Sequence, residues 1–182
     1  MQKWLISLTC LFLVLLTYLL FSSPFNGGTN YLFLPLAVEI AQPGTYAGDY
    51  VIQRMLLTYH YWSYLAAYFI TVLPVELFLS AGYLVNFFLL YLAFMLLCRE
   101  YKLDLRSSVA SLLLLVSLHL WFQSMVDFPF VHHSFTSISM SVMIMLWVQW
   151  LLLKYNYSLL SVNLAGVLSA LSFLLDPLTT FY

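Results

Sequence analysis

The sequence predicts an all-α, polytopic transmembrane protein, with about five spans and short interfacial helices in the first outer loop. Three observations predict it. The chain of 182 residues is 64% hydrophobic and only 7% charged, more apolar than a soluble domain of that size needs to be. Five apolar stretches, at about 4–21, 78–98, 109–126, 137–153 and 159–175, each have roughly the length that carries a helix across a ~30 Å hydrocarbon core. The charges also sort by side. With Lys3 in the cytoplasm, threading the chain places Arg99, Lys102, Arg106 and Lys154 there as well, and leaves only Arg54 outside. Glu39, Asp49, Glu76, Asp127 and Asp176 fall at the outer face, with His60, His132 and His133. Short loops rich in Lys and Arg stay cytoplasmic, so this partition sets the orientation.

The first span, about 4–21, follows Lys3 and runs to Phe21. Its apolar run is longer than the core of a signal peptide, and no small-residue cleavage site precedes Pro24, so it reads as an uncleaved helix. Residues 22–77 form the long outer loop of a single transmembrane domain, 1–182. Ser22 to Gly28 is a turn-rich exit. Tyr31 to Ile40 predicts a short helix with Pro35 near its first turn. Gln42-Pro-Gly-Thr-Tyr-Ala-Gly-Asp49 is a second break, and 53–73 is helical again, ending before Pro74.

The segment 55–73 is long enough to span. Spanning would carry Arg99, Lys102 and Arg106 outside, and would leave only Pro74 to Leu77 as a link. It is therefore expected along the outer interface, where Tyr59, Tyr61, Trp62, Tyr64, Tyr68 and Phe69 suit the headgroup level. Helical spacing puts His60, Tyr64, Ala67 and Thr71 on one stripe and Tyr61, Leu65, Phe69 and Val72 on another.

The second span ends in a basic turn, Arg99 to Arg106. The third span leads to an outer loop over 127–136. The fourth ends at Lys154, and the fifth carries Asn163, Gly166, Ser169 and Ala170 as a close-packing face. Asn86, Gln149 and Asn163 are isolated polar residues in spans, expected to bond between helices. Cys10 and Cys98 lie at unrelated depths and read as apolar fillers.

Composition also excludes function classes. A net charge of −1 does not supply the basic stripe that nucleic acid requires. No HExxH, CxxC, Walker or GxGxxG pattern occurs. Proline is absent from all five spans, which disfavours the broken helices of a transporter.

The remaining candidates are outer-face residues. Asp49 precedes a predicted helix, where a carboxylate serves as an N-cap. Facing the headgroups, it also suits a general base or a metal ligand. Asp127, His132, His133 and Ser134 gather in eight residues; they suit a divalent cation or a pyrophosphate, or simply a polar interfacial loop. His119 lies within the third span, as a functional group or as a neutral imidazole bonded to a neighbouring helix. Arg54 is an interfacial anchor or a phosphate contact.

The order of first span, long outer loop with one acid, second span, basic turn, third span, outer loop with a second acid, and fourth span resembles the N-terminal part of the GT-C superfamily. These are polytopic glycosyltransferases that use lipid-phosphate-linked sugars. The resemblance is strongest to the large prokaryotic membrane proteins of that superfamily, in which a segment like Tyr31–Asp49 precedes an acid and a later span ends like Gly166 to Pro177. There is no Asp-x-Asp pair at either acidic position, and the spans number about half of those usual in such enzymes.

The resemblance implies transfer of a sugar from a polyprenyl-phosphate donor at the non-cytoplasmic face, in the inner membrane of a prokaryotic cell. Asp49 would be the base or a metal ligand. Asp127, with His132 or His133, would place phosphate or a divalent cation, and Arg54 and His60 would contact the donor. The fifth span emerges just before Tyr182, so the chain is expected to be the N-terminal portion of a larger domain and to need further spans or a membrane partner for turnover. The alternative is a non-catalytic polytopic protein, either a degenerate paralogue or an assembly subunit.

Overall fold

The computed structural model describes residues 2–21, 30–57, 61–122 and 137–175. Among them the secondary structure is helical throughout: α1 Gln2–Phe21, α2 Asn30–Ala41, α3 Tyr50–Met55, α4 Tyr61–Ile70, α5 Val75–Glu100, α6 Leu105–Phe122, α7 Ser137–Lys154 and α8 Leu159–Leu175. The apolar runs at 4–21, 137–153 and 159–175 become α1, α7 and α8 almost residue for residue, and the run at 78–98 becomes α5. The third run begins four residues early, at Leu105. Asp104 accounts for the shift, because its Oδ1 accepts the amide of Ser107 at 2.9 Å and so starts the helix on the polar turn Arg106-Ser-Ser108.

Two tight hairpins, α5–α6 and α7–α8, share one turn design. At the end of α5, Leu103 N–H reaches back to Cys98 C=O at 3.0 Å and Lys102 N–H to Arg99 C=O at 2.9 Å, with Lys102 at φ +62°. At the end of α7, Tyr157 N–H reaches Leu152 C=O at 3.1 Å and Asn156 N–H reaches Leu153 C=O at 3.3 Å, with Asn156 at φ +47°. Both are Schellman endings, which pair the last carbonyls by passing through a left-handed residue. Each is followed at once by a capping residue, Asp104 for α6 and Ser158 for α8, whose Oγ lies 3.3 Å from Ser161 N. Neither ending contains the glycine that usually marks one.

The long helix α5 is central, touching α1, α4, α6 and α7. It is antiparallel to α1: Tyr18 donates to Ser80 Oγ at 3.3 Å near one end, and the rings of Tyr18 and Tyr83 lie 5.5 Å apart. It is parallel to α7, since Glu100 and Lys154, at the two C-termini, form an ion pair of 3.4 Å. The helices α7 and α8 are antiparallel and locked by a reciprocal pair, Ser141 Oγ to Ser172 C=O at 2.9 Å and Ser172 Oγ to Ser141 C=O at 3.4 Å. Arg99, Lys102, Arg106 and Lys154 therefore share one end of the bundle, and Glu76 lies at the other.

The core runs along α5 through Phe78, Leu79, Tyr83, Phe87, Leu90, Tyr91 and Met95, against Cys10, Leu13 and Val14 of α1. Tyr83 and Phe87 pack with centroids 4.4 Å apart, Phe87 and Tyr91 at 6.1 Å. Among the described residues α5, with 26 residues, is the one helix both long and apolar enough to cross a membrane; the apolar parts of the others, Trp4–Leu19, Leu105–Leu114, Ser139–Lys154 and Leu159–Leu175, are shorter. The isolated polar residues differ from expectation. Gln149 and Asn163 are exposed, and the buried amide of Asn86 has no partner among the described residues.

The segment 55–73 is not one helix. Its chain is divided into α3, which ends at Met55, and α4, whose 10 residues measure about 15 Å, half a bilayer core. Of the two predicted stripes, that of Tyr61, Leu65, Phe69 and Val72 is exposed throughout, whereas the other mixes exposed Tyr64 and Thr71 with buried Ala67. Trp62, Ser63, Ala66 and Ala67 are its buried face, while Tyr61, Tyr64, Leu65, Tyr68 and Val72 are exposed. It packs on α2, whose Leu36 and Ala37 are buried, and reaches α5 through Phe78, which stacks on Phe69 at 5.5 Å and lies 6.1 Å from Trp62. Together α2, α3 and α4 form a platform at the Glu76 end of α5.

Candidate functional site

The platform holds the described part of the candidate site, and its geometry follows from one break in the chain. After α2 the sequence Pro43-Gly44 cannot continue a helix. Gly44 takes φ +98°, a conformation that L side chains rarely adopt. The turn that follows turns its amides inward, and Glu39, in the last turn of α2, receives them. Gly44 N–H donates to Oε1 at 2.8 Å and Tyr46 N–H to Oε2 at 2.6 Å. Gln53 bridges the cradle from α3, with its Nε2 3.2 Å from Tyr46 C=O and 3.5 Å from Glu39 Oε1.

Glu39 is only 6% exposed. The amide of Tyr46 foremost, then that of Gly44, hold its carboxyl below the ordinary value of 4.5, against the opposing effect of desolvation. Glu39 thus stays ionised and ties the 42–49 turn to α2. It was expected only as an outer-face acid, and this cradle went unread. The available signal was an acid standing five and seven residues before the amides freed by a Pro-Gly turn.

Asp49 sits at the far end of that turn. Its Oδ1 accepts from Val51 N at 2.9 Å and Ile52 N at 3.1 Å, so the capping role is realised. Asp49 is exposed, and its Oδ2 has no partner among the described residues. One turn on, Arg54 Nε donates to Tyr50 Oη at 2.8 Å, and its guanidinium carbon lies 5.5 Å from the Tyr50 ring centroid. Arg54 is exposed and keeps its terminal nitrogens unpaired among the described residues. A short helix thus presents one carboxylate oxygen and one guanidinium to the surroundings.

Of the other candidates, His60, Asp127, His132, His133 and Asp176 lie outside the described residues. Among those described, no group of three His, Cys, Asp or Glu side chains could hold a metal ion. Comparison of the chain with known protein families, with curated proteins and with solved structures finds no match.

Proposed function

We propose that the chain is a multi-pass integral membrane protein in which α1, α5, α6, α7 and α8 cross the bilayer and the α2–α4 platform lies at the outer face. One observation carries this reading: the helices at the bundle's edge present large apolar side chains on their outward faces. The inner face of α1 is Ile6, Cys10, Leu13 and Val14, while its outer face is Trp4, Leu8, Phe12 and Leu19, all at least 60% exposed. In α8 only Ser161, Ala165 and Ser172 are buried, and Leu159, Leu160, Val167 and Leu171 are exposed. Outward faces this apolar belong in a core or a bilayer, and no other part of the described chain covers them. The collection of Arg99, Lys102, Arg106 and Lys154 at one end supports the N-terminus-in orientation.

Within that frame the biochemical reading is glycosyl transfer from a polyprenyl-phosphate sugar, by likeness of layout to the GT-C superfamily. The acceptor hydroxyl oxygen forms a bond to the anomeric carbon, the bond from that carbon to the phosphate oxygen breaks, and the lipid phosphate leaves. Asp49 Oδ2 takes the acceptor proton, and Arg54 offers donors to the departing phosphate. Exposure of both groups on α3 supports this. A second reading, a non-catalytic assembly subunit, is favoured by the use of Asp49 Oδ1 as a helix cap.

Asp49→Asn separates the two, because asparagine caps as well as aspartate but is not a base. In native membranes, where any further spans or partner subunit are present, supplied with polyprenyl-phosphate sugars, the catalytic reading expects turnover with the wild type and none with Asp49→Asn, with insertion unchanged. Equal turnover by both removes Asp49 from the chemistry. No turnover by correctly inserted wild type favours the subunit.

A further inference from the structure

At the basic end of the bundle, remote from the platform, a cavity of about 150 Å³ opens between α1, the α5–α6 hairpin and the start of α6. That is the room of about five waters, too large for a lone ion and its first contacts. Ile6 and Met95 form its buried floor, Leu103 and Leu105 its apolar shoulder, and Arg99, Asp104 and Ser108 its polar lining.

The two charges do not neutralise each other. Arg99 and Asp104 line one cavity, yet no ion pair joins them. Arg99 is exposed, with no side-chain partner among the described residues. Asp104 is kept ionised by the Ser107 side chain and backbone amide, which hold its carboxyl below the ordinary value. Ser108 donates its hydroxyl to Asp104 C=O at 2.8 Å, leaving its oxygen as an acceptor. Beyond the rim stand the exposed Lys102 and Arg106, while Glu100 is already paired with Lys154.

A cavity with one cation, one anion and an apolar floor matches a ligand that carries both charges on an apolar stem. We propose that this cavity holds the phosphoethanolamine headgroup of a membrane phospholipid, with its phosphate on Arg99 and its primary ammonium on Asp104. This rests on the multi-pass reading, which puts the basic end at the level of the cytoplasmic headgroups. Lys102 and Arg106 reinforce the phosphate side, as basic groups do at that surface. Asp104 selects the amine: a primary ammonium donates hydrogen bonds to a carboxylate, whereas the trimethylammonium of phosphatidylcholine has no N–H, and phosphatidylglycerol has no cation.

The test is lipid retention by the full chain, purified in detergent and examined by native mass spectrometry with added phosphatidylethanolamine, phosphatidylcholine or phosphatidylglycerol. The wild type should retain phosphatidylethanolamine over the other two by about threefold, the size that one partly exposed ion pair supplies. Asp104→Asn keeps the helix cap but not the charge, and should erase that preference while leaving overall retention in place. Arg99→Gln should lower retention of all three lipids.

Equal retention of the three lipids by the wild type overturns the proposal, as does a preference that survives Asp104→Asn. Displacement of the lipid by an equal concentration of soluble glycerophosphoethanolamine would put the ligand in solution and overturn the lipid assignment. Accessibility of a cysteine at position 102 reads topology separately. A chain of correct topology without lipid preference refutes the headgroup site alone.

Discussion

Removing the Asp49 carboxylate measures how much of the candidate site depends on a single cap. In Asp49→Ala the amides of Val51 and Ile52 lose an acceptor at 2.9 and 3.1 Å. An N-cap change of this kind costs about 1 kcal/mol. The helix it caps has 6 residues, too few to persist on its own bonds. Beyond the cap, α3 is tied down by the buried Ile52 and by the Gln53 bridge to Tyr46.

A loss of about 1 kcal/mol corresponds to roughly fivefold more frequent opening, since 1.4 kcal/mol is tenfold. Amide hydrogen exchange in nanodiscs should therefore show Val51 and Ile52 exchanging about fivefold faster, with the amides of α5 unchanged. Asp49→Asn should stay within about twofold of the wild type, giving up only the favourable charge at the helix N-terminus. Unaltered exchange in Asp49→Ala, or an Asn variant as fast as the Ala variant, would refute the capping argument.

Other outcomes follow from the same geometry. Lys102→Gly should stabilise the α5–α6 hairpin by about 1 kcal/mol, because Lys102 holds φ +62°, which costs an L-residue that much and glycine nothing; denaturant unfolding in detergent measures it. The carboxyl of Glu39 is depressed below its ordinary 4.5 in the folded chain, so its contribution is complete above 4.5 and is lost as pH falls through the lower folded value. Exchange in the 42–49 turn should accelerate over that acid range, and Glu39→Gln should remove the acid step while loosening the turn at neutral pH. Ser141→Ala and Ser172→Ala should each weaken the α7–α8 pairing by about 0.6 kcal/mol, the usual size of a bond between helices in a membrane, and the losses should add, because each hydroxyl donates to the other residue's backbone carbonyl; no loss in Ser141→Ala would contradict the reciprocal bonds.

Long apolar runs made most of the architecture readable. Once no charge interrupts 17 or more mostly apolar residues, a helix is the only local structure that pairs all its backbone groups, and α1, α5, α7 and α8 appear where the runs lie. Runs are blind to what caps do. The aromatic periodicity of 55–73 runs straight across the division between α3 and α4, and the start set by Asp104 lies in polar sequence ahead of the third run. The basic turn Arg99 to Arg106 is legible, but the form of the two helix endings is not, because Lys102 and Asn156 occupy the left-handed positions where glycine would signal them.

The candidate site was half readable. Asp49 was legible as a cap from its place before a helix, and that is where its Oδ1 is used. The partner that Arg54 finds, Tyr50, stands at i−4 and was available from spacing alone. Glu39 was not found, because its partners are backbone amides, which carry no sequence signature beyond the Pro-Gly turn that frees them.

The multi-pass reading is tested most directly by site-specific labelling of single added cysteines in intact cells with a membrane-impermeant maleimide. Thr45, Lys102 and Asn156 are exposed positions for the added residue, Ser134 reports the second outer loop, and the native Cys10 and Cys98 are buried. The expected result is labelling at 45 and 134 from outside, and at 102 and 156 only after permeabilisation. Labelling of 102 from outside would contradict the orientation. Protection of 134 together with 102 and 156 would leave α5 as the sole crossing between 45 and 156, and would contradict the five-span arrangement.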